Sequence, residues 1–208
     1  MSDETPSATN TPSWSAEDPF TPRLVLGVLL YDEPPTVEAV TEAVTTIPGA
    51  DDLGITASPV EGQEGVIEVR IEQFGIASYL TVVDAPVPGT EVVDNAHQLY
   101  CQGEERDRVG AHRGQVLVAV RPEIEERTAD QVRGLTGRQQ QLVFNRVHGL
   151  MVVALTRMRG VAGYYSGAAA ATYGSTFLPQ VAAGNFGSTP WPLWVSAWLR
   201  PGPSGVSA

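Results

Sequence analysis

Between Leu53 and Val83 three strand patterns follow one another with no helix between them. Leu53 to Ser58 is the first. In the second, Gly65 to Glu72, Val66, Glu68, Arg70 and Glu72 alternate with Ile67, Val69 and Ile71. The third, Ile76 to Val83, follows across Gln73-Phe74-Gly75, which reads as a hairpin turn. Strands joined by tight turns pair antiparallel, whereas a doubly wound parallel sheet needs a crossover between each pair. The run therefore excludes strict βαβ alternation. It predicts an α+β fold, a single mixed or antiparallel sheet packed against a long helix and one or two shorter helices.

The flanking segments supply the remaining elements. Arg23 to Tyr31 is a nearly continuous apolar run, the pattern of a central strand covered on both faces. Thr36 stands where an N-cap belongs, Val37, Val40, Val44 and Ile47 recur at helical spacing, and Pro48-Gly49 stops the helix. Glu91 to Gln102 reads as a second helix and Gln115 to Arg121 as another apolar strand. Thr128 and Gln131 match a capping box. From Val132 to Met158 a long apolar stripe marks the main helix, with Gly134 and Gly137 splitting its first turns from its body and Gly160 ending it. Val161 to Ser166 is a short strand, Ala168 to Thr172 a small-residue loop, and Ser175 caps a short helix through Val181. Leu193 to Leu199 alternates, with Trp194 and Trp198 on one face.

Residues 1–22 are rich in Ser, Thr, Pro and acid without periodicity, which predicts a disordered tail. Pro and Gly predict a flexible tail over 201–208. Residues 23–200 are then one α+β domain.

Charge and composition exclude several chemistries. The formal net charge is -11, so phosphate backbones and anionic lipids are repelled and neither nucleic acid nor membrane is an expected partner. All thirteen basic residues are arginine. Without lysine there is no pyridoxal Schiff base and no P-loop or kinase lysine. No two glycines are spaced Gly-x-Gly, so a dinucleotide fingerprint is missing as well. No cofactor is expected. Cys101 is the single cysteine, which rules out an internal disulfide or a cysteine-rich zinc site. Met1-Ser2-Asp3-Glu4 is acidic where a secretory signal is basic, and no apolar run has the length of a membrane span; both features predict a cytoplasmic protein.

The residues that remain for chemistry are few. Asp94 and His97 stand one helical turn apart if Glu91 to Gln102 is helical, and His112 lies just ahead of a buried strand in Ala111-His112-Arg113-Gly114. Together they are candidates for a small hydrolytic or metal-assisted site, His112 serving as general base. The bland reading, in which the histidines are satisfied core or surface groups, is favoured, and no metal site is expected. In Gly163-Tyr164-Tyr165-Ser166-Gly167 the serine stands one place too late for a nucleophile elbow. Trp191, Trp194 and Trp198 form the densest aromatic group, a core cluster or, if exposed, a rigid contact surface for a protein partner.

Several short stretches carry a resemblance. Ala111-His112 through Leu117-Val118-Ala119-Val120, Leu142 to Leu155, Gly163-Tyr164-Tyr165-Ser166-Gly167 and Leu193-Trp194-Val195 resemble an uncharacterised bacterial family, the domain of unknown function forty-two sixty-one. The Asp32-Glu33-Pro34-Pro35-Thr36 turn and Ala85-Pro86-Val87-Pro88 are similar to it too. The family commonly has tryptophan where this chain has Ser166. The resemblance implies a single domain and carries over no catalytic residue.

Taken together, the sequence predicts a non-catalytic cytoplasmic protein-binding module, an adaptor or neutralising partner, with Trp191, Trp194 and Trp198 as its contacts. The alternative is a small hydrolase or metal-dependent enzyme using His112 with Asp94 and His97.

Overall fold

The computed structural model describes residues 20–122, 124–125 and 128–179, together with the backbone of 200–202 and 205–207. In chain order the elements are β1 (Val25–Tyr31), α1 (Val37–Thr45), α2 (Ala50–Leu53), β2 (Ile55–Pro59), β3 (Val66–Ile71), β4 (Ile76–Val83), α3 (Glu91–Asp94), α4 (Glu104–Gly110), β5 (Gly114–Val120), α5 (Asp130–Arg133), α6 (Gly137–Leu155), β6 (Val161–Ser166) and β7 (Ala171–Gly174). A separate hairpin pairs β8 (Arg200–Gly202) with β9 (Gly205–Ser207), inside the segment expected as a tail.

The first seven strands form one sheet in the order β2-β3-β4-β5-β1-β6-β7, and every neighbouring pair is antiparallel. This is the α+β architecture that the three consecutive strands require. β1 lies between β5 and β6, and from Val28 to Tyr31 both of its faces are covered, which explains the apolar run there, while Leu24 and Leu26 at the start of the run are exposed. Val25, Leu29 and Tyr31 enter the main core with α1 and α6, while Val28 and Leu30 enter a smaller cluster with Val92, Cys101 and Val109 from the α3–α4 region.

Helix α6 supplies the largest share of the main core. Phe144, Val147, His148, Met151 and Leu155 are buried at helical spacing. Its start is set by a capping box in which the Thr136 hydroxyl accepts from the Gln139 N–H at 3.4 Å and the Gln139 side-chain Oε1 accepts from the Thr136 N–H at 3.0 Å. The capping box expected at Thr128 is therefore displaced. Ala129 is the N-cap of α5 and makes no side-chain cap, and the Thr128 hydroxyl instead accepts from the Glu125 N–H at 3.0 Å. At α1 the expected cap holds, with the Thr36 hydroxyl accepting from the Ala39 N–H at 3.2 Å.

Two further expectations change. Glu91 to Gln102 is not one helix: α3 ends at Asp94, and α4 begins only at Glu104, after Gly103 at a φ of 51°. The small-residue loop expected at 168–172 instead leads into strand β7. Both changes have one cause, which also builds the candidate site.

Candidate functional site

The chain between α3 and α4 is pulled out of helical conformation by the edge of the sheet. The Thr172 N–H donates to the Asn95 carbonyl at 2.8 Å, and the His97 N–H donates to the Thr172 carbonyl at 2.8 Å, a parallel bridge that closes the outer edge of β7. The Gly174 N–H adds a bond to the Tyr100 carbonyl at 2.7 Å. Satisfying these edge groups of β7 outweighs continuing a helix of modest intrinsic propensity.

Beyond the bridge the chain turns, with the Cys101 N–H donating to the His97 carbonyl at 2.9 Å. Four rings collect against this turn. His97 stacks on Tyr100 at 4.7 Å between centroids and on Tyr173 at 5.3 Å. Phe177 stacks on Tyr100 at 4.0 Å and on Tyr173 at 5.4 Å. Tyr173 and Phe177 are buried, whereas Tyr100 is 38% exposed and its neighbour Leu99 is 73% exposed. A leucine and a tyrosine thus project from a tip whose base is a packed aromatic box. The same turn borders a pocket of about 340 Å³ lined by Val93, Asp94, Ala96, Gln98, Cys101 and Arg106, among others.

The protonation states here follow from burial and hydrogen bonding. His97 Nδ1 accepts from the Leu99 N–H at 3.1 Å, which places the ring proton on Nε2, and burial holds its pKa below the ordinary histidine value. Asp94 lines the same pocket, and its carboxylate accepts from the Thr90 hydroxyl at 2.6 Å. The Cys101 thiol is pushed up to about 11, by burial first and by the charge of Glu105 second, with Arg106 opposing. A thiol in that state is a poor nucleophile.

His112 is 5% exposed and lies at the end of α4. Its Nε2 accepts from the Val87 N–H at 2.8 Å, so Nδ1 carries the proton and donates to the Val109 carbonyl at 2.6 Å. Both ring nitrogens are committed to backbone, and the imidazole staples the 84–90 loop to α4. Among the described residues no three His, Cys, Asp or Glu side chains are grouped to hold a metal ion. Trp191, Trp194 and Trp198 lie outside the described residues.

Next to the box stands an ionic cluster. Arg108 grips the Asp32 carboxylate through Nε at 3.0 Å and Nη2 at 2.6 Å, and its Nη1 donates to Ser175 Oγ at 2.7 Å. The Ser175 hydroxyl bonds Glu105 at 3.2 Å, and Arg113 Nε donates to the Asp32 carbonyl at 2.9 Å. This cluster pins α4, and with it the turn that carries Tyr100, to the end of β1.

No family model, curated protein or solved structure matches the chain. Function rests on the site itself.

Leu99 and Tyr100 were hidden in the sequence because they fall in the helix expected over Glu91 to Gln102, Phe177 because it falls in the short helix expected from Ser175, and Tyr173 because it stands between that helix and the expected loop. The usable signals were Asn95, a common helix terminator, and Gly103, whose φ only glycine adopts at little cost.

Proposed function

We propose that the chain is a non-catalytic protein-binding module, an adaptor or neutralising partner acting in the cytoplasm, and that Leu99 and Tyr100 are its principal contacts. The exposed Leu99–Tyr100 tip on its packed aromatic base carries this reading. Large side chains held in place before binding lose little entropy on association, and such residues dominate interface energetics. The net charge of -11 suits a target with a basic rim around an apolar recess, since complementary charge speeds encounter. Trp191, Trp194 and Trp198, the contacts expected from the sequence, belong to the same proposal. Membership of the forty-two sixty-one family belongs to the same proposal and is supported by the short stretches around His112, α6 and β6. No helix among the described residues is long and apolar enough to cross a membrane. The hydrolase reading has no observation in its favour.

The test is capture from native lysate with wild type and with a Leu99→Asp, Tyr100→Ala variant. A partner held by wild type is expected to be lost by the variant at unchanged Tm, with affinity falling by about thirtyfold or more, the effect of removing a hot spot. Retention of the same partner by the variant overturns the assignment of the tip.

A further inference from the structure

His148 stands in the middle of α6 with none of its surface exposed. It sits over the place where β1, β5 and β6 meet. The Tyr164 ring, tilted by 52°, lies 6.2 Å from the imidazole between centroids. Tyr164 in turn covers Gly27, whose register partners are Val118 on β5 and Ser166 on β6. Neither ring nitrogen of His148 and not the Tyr164 hydroxyl meets a partner at full hydrogen-bond geometry. The polar groups that still act on them are the backbone of Val118 for His148 and the Ser166 hydroxyl for Tyr164.

Among the described residues the surroundings hold no anion for an imidazolium. From β1 the inward titratable group is Tyr31, from β6 Tyr164 and from β7 Tyr173, all phenols. β5 contributes Val116, Val118 and Val120, and α1 contributes Val40 and Val44. On α6 itself the nearest charge in sequence is Arg146, which is exposed and of the wrong sign. No Asp or Glu is buried among the described residues.

We propose that His148 is an acid-sensitive latch: its neutral imidazole keeps the C-terminal half of α6 on the sheet, and protonation releases that half while the sheet persists. The sheet is held by its own antiparallel ladders and, on the second face, by the cluster of Val28, Leu30, Val92 and Val109, none of which involves His148. Release would expose Val147, Met151 and Leu155, an apolar stripe that is buried in the structure.

The linkage has a definite sign. Burial lowers the His148 pKa to about 3, against about 6.5 for an exposed histidine. Between these values the released state binds a proton that the closed state refuses, so the released population grows by about tenfold for each pH unit lost.

Hydrogen exchange read by mass spectrometry, corrected for intrinsic rates, tests this in the full chain from about pH 7 down to about pH 5, the range over which histidines switch charge. Protection across Val147–Leu155 is expected to change little from pH 7 to about 6.5 and then to fall at a rate approaching tenfold per pH unit, while β1 and β5 keep theirs. His148→Phe and the smaller His148→Met are each expected to abolish the fall, so the readout survives if one of them fails to fold. The latch is overturned if α6 protection does not fall, if it falls together with that of β1 and β5, or if the variants lose it equally.

Discussion

The ring of Tyr164 lies flat against the backbone of Gly27 on the neighbouring strand, so close that a Cβ at residue 27 would fall 2.6 Å from the ring's Cε2. Gly27 thus interrupts the apolar run of β1 for a steric reason. Gly27→Ala is expected to destabilise by about 1–3 kcal/mol, the range for overpacking a filled core, and Gly27→Val by more. Tyr164→Phe keeps the packing and removes a hydroxyl without a well-formed bond, so it is expected to be neutral or stabilising. Urea unfolding of the three variants measures the order, and a destabilised Tyr164→Phe would show that the hydroxyl matters more than its geometry suggests.

His112 offers a sharper separation of structure from chemistry. His112→Ala strands the part-buried Val87 N–H, at a cost of about 1 kcal/mol, while the Val109 carbonyl keeps the backbone N–H of residue 112. Amide exchange should show local loss at Val87 with the β4–β5 ladder intact. If Val87 keeps its protection in the variant, the imidazole is not the staple.

Much of the fold could be read in advance, and the failures share one physical origin. Local signals served where the structure is local: the Thr36 cap, the turn before β4, and the central character of β1 all follow from neighbours in sequence. Thr128-x-x-Gln131 and Thr136-x-x-Gln139 satisfy the same capping rule, however, and only the second has an uninterrupted helix ahead of it; Gly134 ends α5 after one turn. The segment from Asn95 to Tyr100 and strand β7 were misread together because each is shaped by hydrogen bonds to the other across some seventy-five residues. The same blindness concealed the site. Asp94 and His97 drew notice as a carboxylate and an imidazole on one helix, yet the helix stops between them and His97 turns into an aromatic box.

The bidentate Asp32–Arg108 pair is about 40% exposed on both sides, so solvent screening limits its worth to roughly 1 kcal/mol or less. Its importance is geometric, since Ser175 and Glu105 continue the network to the site. Arg108→Lys keeps the charge and loses the fork, and is expected to leave Tm nearly unchanged while loosening the turn that holds Tyr100. Tyrosine ring mobility by NMR provides the readout. A Tyr100 ring as rigid as in wild type would detach the ionic cluster from the site.

Tyr165 gives the alkaline counterpart. Its hydroxyl donates to Glu91 Oε1 at 2.5 Å and ties β6 to α3. Burial first, and the Glu91 bond and charge second, push the phenol up to about 12 from the ordinary 10.0. A group whose folded pKa is raised contributes stability that is fully present below its unfolded pKa. That contribution is lost as pH climbs through the window from 10 to about 12. Glu91→Gln removes the charge while leaving an acceptor, so the phenol should titrate earlier, and the alkaline loss of stability, which still begins near 10, should be smaller and end at lower pH. Phenolate absorbance during a pH titration of the folded protein, compared between wild type and variant, decides it: superimposable curves would mean that burial alone sets the shift and that Glu91 does not hold Tyr165.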